Sequence, residues 1–133
     1  MPHPPFRNAL LAFAVVLAAA SPVAAQDTGG SRFAARPYEA KLLRFLEIIG
    51  SVQFLRQLCE PSETAIWRES ASAIIEAEGQ TDARRARLTA AFNRGYRAFA
   101  AYGECNDAAI YAIDRYMREG TVLGRDILVR YGE

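Results

Sequence analysis

The sequence predicts an all-α protein: a four-helix up-and-down bundle with one disulfide, preceded by a signal peptide and a flexible leader. Three observations carry that prediction. Four stretches repeat apolar residues at spacings of three and four, which gives each helix one apolar face. Short polar breaks containing Gly, Pro or Asn separate them. Only two cysteines occur, Cys59 at the end of the first stretch and Cys105 just before the fourth. No segment alternates apolar and polar residues as a half-buried strand does.

Residues 1–25 read as a secretory signal peptide. A short polar start holding His3 and Arg7 precedes the small, apolar run from Ala9 to Ala20, and Val23, Ala24 and Ala25 form an A-x-A-like cleavage site. An apolar core of about 12 residues is too short to span a bilayer, which takes about 20. No stable membrane anchor is therefore expected after cleavage, and the residue directly after the site is Gln26 rather than a cysteine that could carry a lipid. Residues 26–37, polar and glycine-rich and ending at Pro37, read as the flexible leader. The helical domain is expected over 38–133.

Cleavage changes the charge balance. Of 16 Lys and Arg only Arg7 lies in residues 1–25, together with none of the 15 acidic residues, so 15 of each remain. A neutral chain offers no electrostatic footprint for nucleic acid or an anionic membrane. The one histidine, His3, leaves with the signal peptide. Without it the commonest general base and the commonest metal ligand are gone, so no enzyme, no metal and no cofactor are expected. Two cysteines in an exported chain read as a structural disulfide, because the C-x-x-C spacing of a redox pair is absent.

Helix one is expected from about Tyr38 to Leu58. Leu42, Phe45, Leu46, Ile49, Val52 and Leu55 recur at helical spacing, and Leu43, Ile48, Phe54 and Leu58 widen the face. A face that broad predicts a central, buried helix. Gly50 and Ser51 in its middle predict a close crossing rather than a kink. After Pro61, Ser62 is the expected N-cap of helix two, with Glu63 in its first turn. Its stripe is Trp67, Ala71, Ile74 and Ile75, and Gly79 ends it.

Thr81 and Asp82 open helix three. It carries Leu88, Phe92, Gly95, Phe99 and Tyr102 on one face and is expected to stop at Tyr102 and Gly103. The basic cluster Arg84, Arg85 and Arg87 reads as solvated surface paired locally with Glu76, Glu78 and Asp82. Asn106 caps helix four. There Ile110, Ile113, Met117, Gly120, Gly124, Ile127 and Tyr131 keep an unbroken spacing, which predicts one long helix from about Asp107 to Tyr131 rather than a break at Gly120.

Material for chemistry is sparse. Glu69 and Glu76 lie two turns apart on one face of helix two, the spacing from which a glycoside-cleaving carboxylate pair could be built. The serines lack a G-x-S-x-G elbow and a base, and no phosphate loop or metal-ligand spacing occurs. Arginines and tyrosines offer more. Arg87, Arg94, Arg97 and Tyr96 form a candidate partner or anion surface on helix three, where guanidinium forks and a phenol sit together. The plainer reading has these arginines covering core rings and pairing with nearby acids.

The stretches YEAKLLRFLEIIGSVQFLRQLC, WRE at 67–69, RLTAAFNRGYRAFAAYGEC, RYMREG and DILVRYG resemble a family of small exported bacterial proteins classed as a domain of unknown function. The likeness runs from about Tyr38 to Gly132, with FNRGYR and the two cysteines its most specific parts. It implies a periplasmic helical domain and brings no activity with it. The expected role is that of a non-catalytic periplasmic or envelope protein acting through contacts with another envelope protein or a cell-wall component. The alternatives are an envelope glycan enzyme using a carboxylate pair and a binder of a small anionic ligand.

Overall fold

The computed structural model describes residues 35–132, in which four α-helices follow one another: α1 (Glu39–Cys59), α2 (Thr64–Glu78), α3 (Asp82–Ala98) and α4 (Asp107–Tyr131). The expected signal peptide and nearly all of the expected leader lie outside the described residues. No strand occurs among the described residues.

The broad apolar face of α1 makes it the central element. Leu42, Leu46, Ile48, Ile49, Val52 and Leu55 are all buried. Among the described helices the backbone of α1 alone comes close to the other three, whereas that of α4 comes close to α1 and to neither α2 nor α3. The chain runs up, down, up and down. Glu39 pairs with Arg84 and Arg87 while Glu47 pairs with Arg94, so α1 and α3 run parallel. Lys41 pairs with Asp126 while Arg44 pairs with Glu119, so α4 runs antiparallel to α1.

In a regular up-and-down bundle the parallel helices face each other across a diagonal. Here they form the tightest seam of the molecule, because two glycines let the backbones touch. A Cβ on Gly50 would lie 2.0 Å from the Phe92 carbonyl oxygen, and one on Gly95 would lie 1.8 Å from that of Glu47. The Ser51 hydroxyl bridges the same crossing, within hydrogen-bond distance of the carbonyls of Glu47 (3.0 Å) and Gly95 (3.2 Å). The expected close crossing is borne out, and α1 passes through it unbroken.

Two apolar clusters result. Leu42, Leu46, Ile49, Ala71, Leu88 and Ala91 join α1, α2 and α3, while Leu55, Ala109, Ala112 and Ile113 join α1 to α4. The Cys59–Cys105 disulfide, with Cα atoms 5.0 Å apart, ties the end of α1 to the start of α4. Thr81 and Asn106 cap α3 and α4 as expected, their side chains accepting from the backbone N–H groups of Arg84 and Ala109. α4 is continuous through Gly120 and Gly124.

Three local expectations are corrected. Ser62 does not cap α2: Pro61–Glu63 form a 3-10 turn, closed by the Glu63 N–H on the Glu60 carbonyl, and α2 starts at Thr64. Proline's fixed φ suits the first residue of such a turn, which delays the α-helix. α3 ends at Ala98 rather than Tyr102, and two successive turns follow, Ala100 N–H to the Arg97 carbonyl and Tyr102 N–H to the Phe99 carbonyl. Four more helical residues would carry the chain about 6 Å farther along the α3 axis, whereas Cys105 has to return to Cys59. Phe99 and Tyr102 reach the second cluster from those turns, their rings 5.4 Å apart. Arg84, expected in solvent, is 8% exposed.

Candidate functional site

The arginine edge of α3 is laid along α1. Arg87 pairs with Glu39 at 3.8 Å and Arg94 with Glu47 at 3.2 Å. Tyr96 donates its hydroxyl to the Gln57 side-chain oxygen at 2.9 Å and sets its ring edge-on to Phe54. Arg97 is exposed and has no ion-pair partner among the described residues. Arg87, Arg94 and Tyr96 thus each hold a partner on α1; all three arginines are exposed, and Arg97 is the one of them without an ion-pair partner among the described residues.

Arg84, beside this edge, closes a buried network. Its guanidinium pairs with Glu39 and Glu78, and its Nε–H donates to the Glu78 carbonyl. Burial is the strongest single influence on it and works against the charged form. The hydrogen bonds to Glu39 and Glu78 and the attraction of their charges together outweigh that, and its pKa lies above the ordinary arginine value. The Tyr38 hydroxyl also donates to the Glu78 carboxylate, at 3.1 Å. This network locks the start of α1 to the end of α2 and the first turn of α3.

The carboxylate pair on α2 does not converge on a cleft. Glu69 and Glu76 are both exposed. Glu76 borders a shallow depression between α2 and α3 lined also by Arg68, Arg85 and Phe92, and Glu69 takes no part in it. No group of three metal-ligating side chains occurs among the described residues, and no described helix is long and apolar enough to cross a membrane.

A groove that the sequence does not announce lies on the other side of α1. α2 and α4 each rest on α1 while their backbones stay apart from one another, and the space between them is open, with a volume of about 380 Å³. Phe45, Ile48 and Val52 of α1 form its floor. Trp67, Ser70 and Ile74 form the α2 wall, and the α4 wall runs from Tyr116 and Met117 past Gly120, Thr121 and Gly124 to Leu128. Outside the lining, two large apolar residues are left exposed at helical spacing from it: Ile66 one turn before Ser70, and Ile110 two turns before Met117.

The polar groups of this groove are few. The Ser70 hydroxyl donates to the Ile66 carbonyl and that of Thr121 to the Met117 carbonyl, each within its own helix. Arg125 is the one charged residue lining the groove, and it has no ion-pair partner among the described residues. Its neighbour Asp126 is engaged by Lys41 and Arg130 and points its charge to them. Hydrogen bonding from Lys41, more than any other influence, holds the Asp126 carboxyl below the usual carboxylate range.

At the other end of the groove the Tyr116 ring carries the guanidinium groups of Arg44 and Arg115, 5.6 Å and 4.8 Å from its centroid. Arg44 also forms a two-pronged pair with Glu119, at 2.7 Å and 3.0 Å. That hydrogen bonding is the largest cause of both the raised pKa of Arg44 and the lowered pKa of Glu119.

Compared with known proteins, residues 37–131 match the model of a family described as protein of unknown function, DUF2385. No curated protein and no solved structure matches the chain.

Proposed function

Starting from the chain's membership of the DUF2385 family of proteins of unknown function, we propose that this is a non-catalytic protein of the bacterial periplasm or envelope that acts by contact, and that the α1, α2, α4 groove is its contact surface. One observation carries the proposal. Monomeric soluble proteins rarely leave a continuous apolar concavity open, and such a surface most often marks a binding site. This one is walled by two helices whose backbones do not approach each other closely, and its lining includes the exposed side chain of Leu128. The arginine edge of α3 supports the role less well, since three of its four candidate residues already have partners on α1.

Export is supported by the signal-like residues 1–25, and the Cys59–Cys105 bond fits an oxidising compartment. A photo-crosslinking amino acid placed at Leu128, on the groove wall, tests the reading in intact cells against the same probe at Arg97 on α3. The expected result is a discrete crosslinked product from Leu128 that disappears when Thr121→Phe fills the groove. A product from Arg97 and none from Leu128 would move the contact surface to α3 and overturn the assignment.

A further inference from the structure

We propose that the groove binds a single-chain fatty-acid carboxylate, with the acyl chain on the α1 floor and the head group on Arg125. The inference rests on the groove being the contact surface and names what fills it. Size comes first. Its volume of about 380 Å³ falls in the range of about 300–1,000 Å³ typical of small-molecule pockets. One turn of α-helix with its side chains fills about 500 Å³, so a partner helix would ride above this groove and insert only side chains. A single acyl chain lies inside it.

Charge selects the head group. The described lining is apolar apart from Arg125, two hydroxyls already committed to carbonyls of their own helices, the Tyr116 phenol, and the Trp67 indole N–H, which is buried without a hydrogen-bond partner among the described residues. Among the described residues no carboxylate lines the groove, and Asp126 is matched by two other cations. One unpaired guanidinium at the edge of an apolar slot complements one negative charge at the end of an apolar chain. Its planar fork takes both oxygens of a carboxylate. A phosphate monoester, with a charge approaching −2 and three acceptor oxygens, would be only partly matched by a single arginine.

Length agrees as well. Nine residues separate Arg125 from Tyr116, about 13 Å along the helix. An extended chain rises about 1.3 Å per carbon with C–C bonds of about 1.5 Å, so about ten carbons reach from one to the other.

Trp67, the chain's one tryptophan, lines the groove and supplies the readout. The oxidised protein is titrated with sodium dodecanoate below its micelle concentration while Trp67 emission is followed. Saturable binding is expected, weakened at least tenfold by Arg125→Glu and abolished by Thr121→Phe, with both variants checked by circular dichroism for native helix content. Arg125→Lys, which keeps the charge and loses the fork, should fall between wild type and Arg125→Glu. Dodecyl phosphate should bind more weakly than dodecanoate, and dodecyltrimethylammonium should not saturate. Absence of saturable dodecanoate binding, equal binding of the cationic amphiphile, or indifference to Arg125→Glu would each overturn the proposal. If the titration is silent while the Leu128 crosslink persists and remains sensitive to Thr121→Phe, the fatty-acid assignment falls and the contact surface stands. If both are silent, both readings fall.

Discussion

α3 and α4 each lie against α1 across a pair of small positions, yet the two seams are built from different parts. At the α3 seam Gly50 and Gly95 bring backbone against backbone, and no atom there moves without moving a helix. At the α4 seam Gly120 and Gly124 meet the side chains of Ile48 and Phe45, where an added Cβ would find its nearest neighbour at 3.3 Å. The first seam is reinforced by the buried Arg84 network. The second is held at its ends, by the disulfide on one side and by the Lys41–Asp126 pair and the Tyr38–Tyr131 ring contact on the other. Close backbone packing gives rigidity, and side-chain packing with tethered ends leaves room beside it. The groove is that room.

The largest expected effect comes from cutting the tether on the α4 side. Replacing both cysteines by serine opens a loop of 46 residues, which the chain-entropy relation values at about 4 kcal/mol. The loss should fall unevenly. Hydrogen exchange of the double variant is expected to show α4 amides losing protection before those of α1 and α3. Simultaneous loss across all helices would mean that α4 is integral to a single cooperative unit, and the contrast between the seams would fail.

Alanine at the glycines sharpens the same contrast. Gly95→Ala drives a Cβ onto the Glu47 carbonyl oxygen, and the helices have to part, at a cost of about 3 kcal/mol. In Gly124→Ala the new methyl meets only the edge of the Phe45 ring. The better helix propensity of alanine offsets that crowding, leaving a net change within about 1 kcal/mol. Urea denaturation of the two variants measures both. Equal losses would show that the two seams pack alike.

Much of this architecture is legible in the sequence because helical periodicity and turn chemistry are local signals. The width of the apolar face of α1, the caps at Thr81 and Asn106, the close crossing at Gly50 and the continuity of α4 all follow from residues within a few positions of one another. The end of α3 does not, since Phe99 and Tyr102 keep helical spacing and only the return of Cys105 to Cys59 takes them out of the helix. The burial of Arg84 is equally non-local: Glu39 lies 45 residues away. The groove is the hardest feature to foresee. Phe45, Ile48, Trp67 and Met117 carry the same pattern whether α2 and α4 meet or stand apart, and separation is a property of the assembled helices. The sequence does hold one faint sign of it, in apolar residues such as Ile66, Ile110 and Leu128 that exceed what the core consumes.

The smallest expected effect concerns pH and again distinguishes the two sides of α1. Glu119 and Asp126 are both on α4, and the pKa of each is lowered chiefly by a hydrogen bond from a cation on α1, Arg44 and Lys41 respectively. A carboxylate whose folded pKa is depressed adds stability above its unfolded pKa, about 4.3 for Glu and 3.9 for Asp. That contribution is lost as pH falls through the lower folded value. Acidification from pH 5 to below pH 3 should therefore loosen α4 from α1. Both Arg44 and Glu119 have side chains more than a third exposed, so solvent screening keeps the Glu119 share below about 1 kcal/mol. Thermal melts of wild type and Glu119→Gln across this range are the measurement. The variant should start slightly less stable at pH 7 and show a shallower loss on acidification, because the group that titrates is gone. An unchanged pH profile in Glu119→Gln would mean that the Arg44–Glu119 pair does not hold α4, and that the disulfide, the Lys41–Asp126 pair and the apolar contacts carry that seam without it.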